Sequence, residues 1–290
     1  MKKIGVVTDS HSGIGRKEAG ELGIKVLPMP FYIENECYFE NLNLARGEFF
    51  KRLEAGEKVS TSQPSPESVM KIWDEALAEY EKILYLPISS GLSGSCMTAV
   101  ALAQYESYEG RVLVVDNGRV SAPLHRSVLD ALELIEKGHS AEEIKEKLEK
   151  YKNHMSIYVG VDTLEYLKKG GRISSTTATV GGLLNIKPIL RLDVGKLEAY
   201  QNCRGTAKMR KAMIEAMRHD LDTRFKKWFD RGEVHLLAAS SSNKEVTESW
   251  IREIEAAFPR MKVMCDDLSL GVCCHVGPGG LGIGCSCRPR

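Results

Sequence analysis

Short apolar runs that stop at a hydroxyl- or glycine-bearing turn and then give way to a helical stretch recur along the first half of this chain. Residues 3–8 (Lys-Ile-Gly-Val-Val-Thr) end at Asp9-Ser10. Residues 83–88 end at Ser89-Ser90-Gly91-Leu92-Ser93-Gly94-Ser95 and lead into a helix reaching about residue 105. Residues 111–115 are followed by helices over about 122–137 and 140–152. Apolar strands alternating with helices predict a parallel sheet covered on both faces. The reading is therefore a Rossmann-like α/β domain over residues 1–155. Within it, residues 24–33 form a strand whose Pro28 and Pro30 place it at an edge. Residues 46–55 form a short helix, and residues 61–66 (Thr-Ser-Gln-Pro-Ser-Pro) a loop. Ser65 then caps a helix with Pro66 at its first position, running to about residue 80.

The second half has a different rhythm. Residues 155–161 read as a strand and 163–169 as a short helix, with Lys168 and Lys169 suited to its C-terminus. Strands over 187–192 and 196–200 flank Asp193-Val194-Gly195 as a hairpin. A helix over 204–230, a strand over 233–239, a helix over 243–258 and a strand over 261–265 follow, and a glycine-rich turn leads into a last strand. Hairpins interleaved with helices predict an α+β domain with a mixed or antiparallel sheet over residues 156–290. A length of 290 residues agrees with two domains at about 150 residues each.

Composition excludes several classes. Lys plus Arg is 40 against 39 Asp plus Glu, a net charge of +1, which argues against nucleic acid as the main partner. No run approaches 18 uninterrupted apolar residues, so no membrane-spanning helix is expected. Asp9 ends the first apolar run too early for a signal peptide, and a cytoplasmic protein is expected. The chain has eight cysteines. Cys273 and Cys274 are adjacent, and one residue separates Cys285 from Cys287, neither being the spacing of a structural zinc site. They are read as reduced, buried thiols, and no metal is expected.

The Gly91–Ser95 turn carries the strongest local chemistry. A glycine-bearing turn entering a helix presents unpaired N–H groups to an anion, with Ser93 and Ser95 as added donors. Helix capping by serine explains the same residues equally well. The turn also nearly matches the G-x-S-x-G nucleophile elbow, with Ser95 in place of the last glycine. Ser93 followed by Asp266 or Asp267 and then His275 has the order of an α/β-hydrolase triad, so an esterase acting on lipid-like esters is the alternative reading. Gly13-Ile14-Gly15 lacks the third glycine of a dinucleotide fingerprint, Glu18 standing there, and no Walker A motif is present. NAD and ATP are thus not expected as cofactors. Asp9, at a strand end, is either a cap of the following turn or a phosphotransfer or metal-binding carboxylate. Arg172 is a guanidinium on a Gly170-Gly171 turn, and His275 precedes the rigid Gly277-Pro278-Gly279-Gly280 turn. Residues 204–231 hold nine Lys or Arg against four Asp or Glu, a solvated face or a dock for an acidic partner.

In their order along the chain these segments resemble the DegV family: Val7-Thr8-Asp9-Ser10, the 61–66 loop, Ser89–Ser95, Val115-Asp116, Gly170-Gly171-Arg172-Ile173, Leu183–Leu190 and His275–Gly282. The resemblance covers essentially the whole chain. It implies a two-domain cytosolic protein that binds a long-chain fatty acid and has no chemistry of its own. In some members the bound acyl chain is presented to a separate ATP-binding kinase subunit, which phosphorylates the carboxylate. Carried over, the resemblance implies carboxylate binding by Thr61 and Ser93 with Ser62 and His275 close by. Gly91, Gly94, Ser95 and Gly277 would supply supporting backbone, and Arg172 would meet the kinase and the phosphoryl group. A lipid-sensing regulator contacting its partner through Arg172 is a third reading. Residues 178–184 are expected to line the acyl tunnel, where about 15 buried methylenes contribute on the order of 12 kcal/mol before association costs. The family often has Asp-Ser at Asp116-Asn117 and Gly-Pro-Gly-Ala at residues 277–280; the extra glycine, Gly280, is expected to loosen the loop near His275.

Overall fold

The computed structural model describes residues 2–173, 185–193 and 196–290. The chain runs β1 (Lys2–Asp9), α1 (Arg16–Leu22), β2 (Lys25–Leu27), β3 (Pro30–Ile33), β4 (Glu36–Phe39), α2 (Arg46–Glu54), β5 (Val59–Thr61), α3 (Pro66–Leu77), β6 (Tyr80–Leu86), α4 (Ser95–Leu102), β7 (Val112–Val114), α5 (Ser121–Glu136) and α6 (Ala141–Lys150). It continues through β8 (Met155–Gly160), α7 (Glu165–Lys169), β9 (Ile186–Asp193), β10 (Lys196–Arg204), α8 (Thr206–Asp222), α9 (Lys226–Phe229), β11 (Val234–Ser240), α10 (Lys244–Ala257), β12 (Val263–Asp267), α11 (Leu270–Val276) and β13 (Leu281–Cys287).

The expected α/β class and both sheet types are present. Strands β2-β1-β6-β7 form an all-parallel sheet. Its alternating side chains feed two apolar layers: Val7, Ile83 and Tyr85 pack toward Trp73 of α3, and Val6, Leu84 and Leu86 toward Leu124 of α5 and Ile144 of α6. Strands β10-β9-β8-β13-β11-β12 form a mixed sheet, antiparallel except between β11 and β12. One of its faces, with Tyr158, Leu236, Leu281 and Ile283, is covered by Met209, Met213 and Met217 of α8 and by Trp250 and Ile254 of α10.

Residues 24–33 are not one strand. Pro28 separates β2, in the parallel sheet, from β3, the centre of a small antiparallel sheet β4-β3-β5. Thr61 is the last residue of β5, paired with Phe31, so the expected loop begins one residue later. Phe31 and Ile33 of β3 and Phe49 and Leu53 of α2 share an apolar cluster with Val161, Leu167, Cys273 and Val276. Helix α3 stops at Leu77, short of residue 80, because Tyr80 already begins β6. The helix expected over 204–230 breaks after Asp222, and α9 is a separate short turn. Helix α11 has no counterpart in the sequence reading. Arg119 is 2% exposed and ties the sheets together, donating to Ser127 Oγ at 2.9 Å, to Ser286 Oγ of β13 at 2.8 Å and to the Tyr151 carbonyl at 3.2 Å. Cys273 and Cys274 lie on α11, while Cys285 and Cys287 lie on β13 in a different apolar cluster.

Candidate functional site

In an open parallel sheet, ligands collect outside the carboxyl ends of the strands, where the strand order reverses. Here that point lies between β1 and β6. The segments that follow β1, β6 and β7 bring His11, Ile88, Ser93 and Ser121 to one cavity of about 260 Å³. The opposite wall is the second face of the mixed sheet: Ile157 and Val159 of β8, Leu190 and Leu192 of β9, and Leu237 and Ala239 of β11. Strand alternation puts these residues on one face and the α8- and α10-facing residues on the other. On β13 the same alternation turns Gly282 and Gly284 to the cavity, so the middle of this wall carries no side chain there. Residues 178–184, expected to line the tunnel, lie outside the described residues.

The polar groups gather at one end. Thr61 Oγ1 and His275 Nε2 are hydrogen-bonded at 2.9 Å although 214 residues separate them. Pairing of β5 with β3 delivers the threonine, and α11 delivers the histidine. The His275 ring lies against Gly170, where a Cβ would come within 2.0 Å of Nδ1. That Nδ1 has no hydrogen-bond partner among the described residues. Burial, and then Arg172, bring the His275 pKa down to about 4, so the ring is neutral at pH 7. Arg172 donates from Nε to the Leu92 carbonyl at 3.2 Å and from a terminal nitrogen to the Gly170 carbonyl at 2.6 Å. The guanidinium thereby joins the turn after α7 to the Gly91–Ser95 turn.

Thr61, Ser62, Ser93, Gly94, Arg172 and His275 all line the cavity. Ser62 is exposed at its mouth, with its hydroxyl donating to the Gln63 carbonyl at 3.1 Å. Ser95, buried at the start of α4, does not line it; its Oγ is 3.0 Å from Ser93 Oγ, and its N–H donates to that oxygen at 3.3 Å. Gly91 lies on the shallow outer groove beside Arg172. Gly277 ends α11 at φ 77°, and a Cβ there would lie 2.4 Å from the Tyr166 ring, so glycine is required.

Two expectations are corrected. Gly280 does not loosen its loop: its N–H donates to Ser241 Oγ at 2.8 Å, its carbonyl accepts from the Ser241 N–H at 2.9 Å, and a Cβ would lie 2.4 Å from Val276 Cγ1. Nor do the residues of the esterase reading form a triad. Asp266 is bonded to His125 Nδ1 at 3.0 Å, Asp267 approaches Arg46 at 3.9 Å, and Ser93 Oγ pairs with Ser95. The Asp9 carboxyl caps the turn after β1, accepting from the His11 N–H at 2.9 Å and the Ile88 N–H at 2.7 Å. Burial raises its pKa to about 7. The sequence reading missed His11, Gln63 and the 120–123 segment as lining groups.

A largely apolar cavity that also presents hydroxyls, a neutral imidazole and one guanidinium has the make-up of a small-molecule site that suits an amphipathic ligand. The profile described as "uncharacterised protein, DegV family" matches residues 3–287, and the chain belongs to the DegV family. A curated DegV domain-containing protein of Deinococcus radiodurans is 32% identical over 283 residues, covering 97% of each chain. A solved DegV family protein from Thermus thermophilus, described by its fatty-acid binding, is 32% identical with a TM-score of 0.87, covering 98% of this chain and 99% of its own. DegV from Bacillus subtilis, described as a fatty acid binding protein, is 27% identical with a TM-score of 0.84, covering 99% and 100%. Among the described residues, no helix is long and apolar enough to cross a membrane.

Proposed function

We propose that this protein binds a long-chain fatty acid, with the acyl chain along the bare face of the mixed sheet and the carboxylate at the Thr61–Ser93 end. The observation that carries this reading is the cavity lining: leucine, isoleucine and valine side chains of the mixed sheet, together with a small polar group in which Thr61 is bonded to His275. Chain burial, at about 0.8 kcal/mol per methylene, supplies most of the affinity, and the polar end fixes direction. Thr61 and Ser93 donate to the carboxylate, and Ser62 and His275 complete its surroundings. Residues 1–155 supply the head-group loops and residues 156–290 most of the chain wall, as a division of labour between two domains.

The carboxylate would then face the groove formed by residues 90–94 and 171–173, which is open to a partner. We further propose that a separate ATP-dependent kinase subunit docks there in the cytoplasm and phosphorylates the carboxylate, with Arg172 meeting the partner and the transferred group. The fatty acid is the substrate, and this chain itself is non-catalytic and without a cofactor.

Native mass spectrometry of the purified protein, followed by denaturation and lipid extraction, tests the first part. The expected result is a mass excess released as a fatty acid, and about tenfold weaker fatty-acid binding in Ser93→Ala, which lacks one charge-assisted hydrogen bond. A protein that stays ligand-free after incubation with mixed fatty acids overturns the reading. Turnover of a chromogenic acyl ester, lost in Ser93→Ala, would favour an esterase instead.

A further inference from the structure

His11 is a cavity group that the fatty-acid reading leaves unused. It is 7% exposed and lines the cavity. Nδ1 is 3.0 Å from Ser269 Oγ, which leaves Nε2 as the ring nitrogen that Ser269 does not engage. Its ring lies on Gly271, where a Cβ would come within 2.3 Å of Cε1. Gly271, which the His11 ring touches, and His275 are four residues apart on α11, about one helical turn, or about 5.4 Å, along its axis.

A plain polymethylene chain passing His11 strips water from Nε2 and returns no hydrogen bond. An orphaned buried polar group is costly, and a site built with one discriminates against ligands that leave it unpaired. Burial, with smaller contributions from His275 and Arg172, brings the His11 pKa down to about 3, so at neutral pH the ring is uncharged. It attracts no second carboxylate. Depending on tautomer, Nε2 donates or accepts, and a hydroxyl matches both roles where a ketone matches one.

We propose that His11 is a specificity-determining residue that selects fatty acids bearing a hydroxyl within the first few carbons of the carboxyl group. The head group occupies the Thr61–His275 end, and the hydroxyl pairs with His11 Nε2 one helical turn along α11. The inference rests on the fatty-acid reading and goes beyond it in naming the ligand class.

The test compares palmitate, β-hydroxypalmitate and ω-hydroxypalmitate by isothermal titration against the delipidated protein and His11→Asn. The asparagine amide reaches Ser269 in place of Nδ1 but presents nothing at the Nε2 position, and a thermal melt confirms that the variant is folded. The expected result is about tenfold tighter binding of β-hydroxypalmitate than of palmitate, no such advantage for ω-hydroxypalmitate, and a β-hydroxyl advantage near one in His11→Asn. Equal affinity of the wild-type protein for palmitate and β-hydroxypalmitate overturns the inference while leaving fatty-acid binding intact. So does a His11→Asn variant in which both ligands weaken and their ratio persists, since His11 would then serve the carboxylate or the fold. If none of the three acids binds the wild-type protein, the fatty-acid reading itself fails and this inference fails with it. In His11→Phe, which fills similar space without polar atoms, the β-hydroxyl advantage is again lost.

Discussion

Gly282 offers a direct way to fill part of the cavity from the sheet side. It lies on the cavity face of β13, paired with Ala239 of β11 and Val159 of β8. A Cβ built there meets the Ala239 carbonyl oxygen at 3.5 Å and the Ala239 Cβ at 3.8 Å, ordinary contacts, so β13 accommodates a side chain. Gly284, two residues on, does not: a Cβ there lies 2.9 Å from the Ser156 carbonyl oxygen. The leucine side chain of Gly282→Leu adds four carbons, which displace about four methylenes of a bound chain. At about 0.8 kcal/mol each this is about 3 kcal/mol, or about 200-fold in affinity for a ligand that fills the cavity. A ligand short enough to end before Gly282 should lose little. Isothermal titration of wild type and Gly282→Leu with palmitate and laurate reads this as a change in chain-length preference. Equal losses for both acids, or none for palmitate, would refute the placement of the chain along β13.

Gly170→Ala should act on the opposite end. Its Cβ would collide with His275 Nδ1 and push the ring away from Thr61, weakening acids of every chain length by about tenfold in the same titration. The acid limb of stability is predicted from His275 as well. Its folded pKa of about 4 lies below the ordinary 6.5, so between these values the unfolded chain binds the extra proton and stability falls as pH falls. His11 and His235, brought down to about 3 and about 4 mainly by burial, act in the same direction, whereas Asp9, raised to about 7, opposes them. Urea denaturation from pH 6.5 to 4.5 should therefore show a smaller loss of stability in His275→Gln than in wild type, and an unchanged loss would contradict the buried, neutral ring.

Much of the framework was legible because local chemistry decided it. The apolar runs in β1, β6 and β8 have one reading as strands, and Ser65 does cap α3, accepting from the Ser68 N–H at 3.2 Å. The polar end was legible only as a resemblance, since nothing local says that Thr61 meets His275. Elements lost to the reading lacked a period. Helix α11 is Leu-Gly-Val-Cys-Cys-His-Val, apolar almost throughout and too short to show an amphipathic stripe. Strand β4 is four residues long and has no buried residue to alternate. Pro28 and Pro30 announced irregularity in 24–33, but which sheet each half would join depends on partners far along the chain.

The same dependence explains why the site lies where it does. Loops at the ends of a parallel sheet can offer hydroxyls and backbone N–H groups, but the sheet's own faces are already covered by helices and have no room for an acyl chain. The mixed sheet has the reverse character: α8 and α10 cover one face, and the other presents Ile157, Leu190, Leu192 and Leu237 to the cavity with few polar atoms among them. On the proposed reading, neither unit alone holds both ends of the ligand. Arg172, donating to Leu92 and to Gly170, and Arg119, donating to Ser127 and to Ser286, each join segments of the two units. A ligand that spans the junction therefore binds surfaces already held in register and does not have to assemble them, so less of its burial energy is lost to ordering the protein.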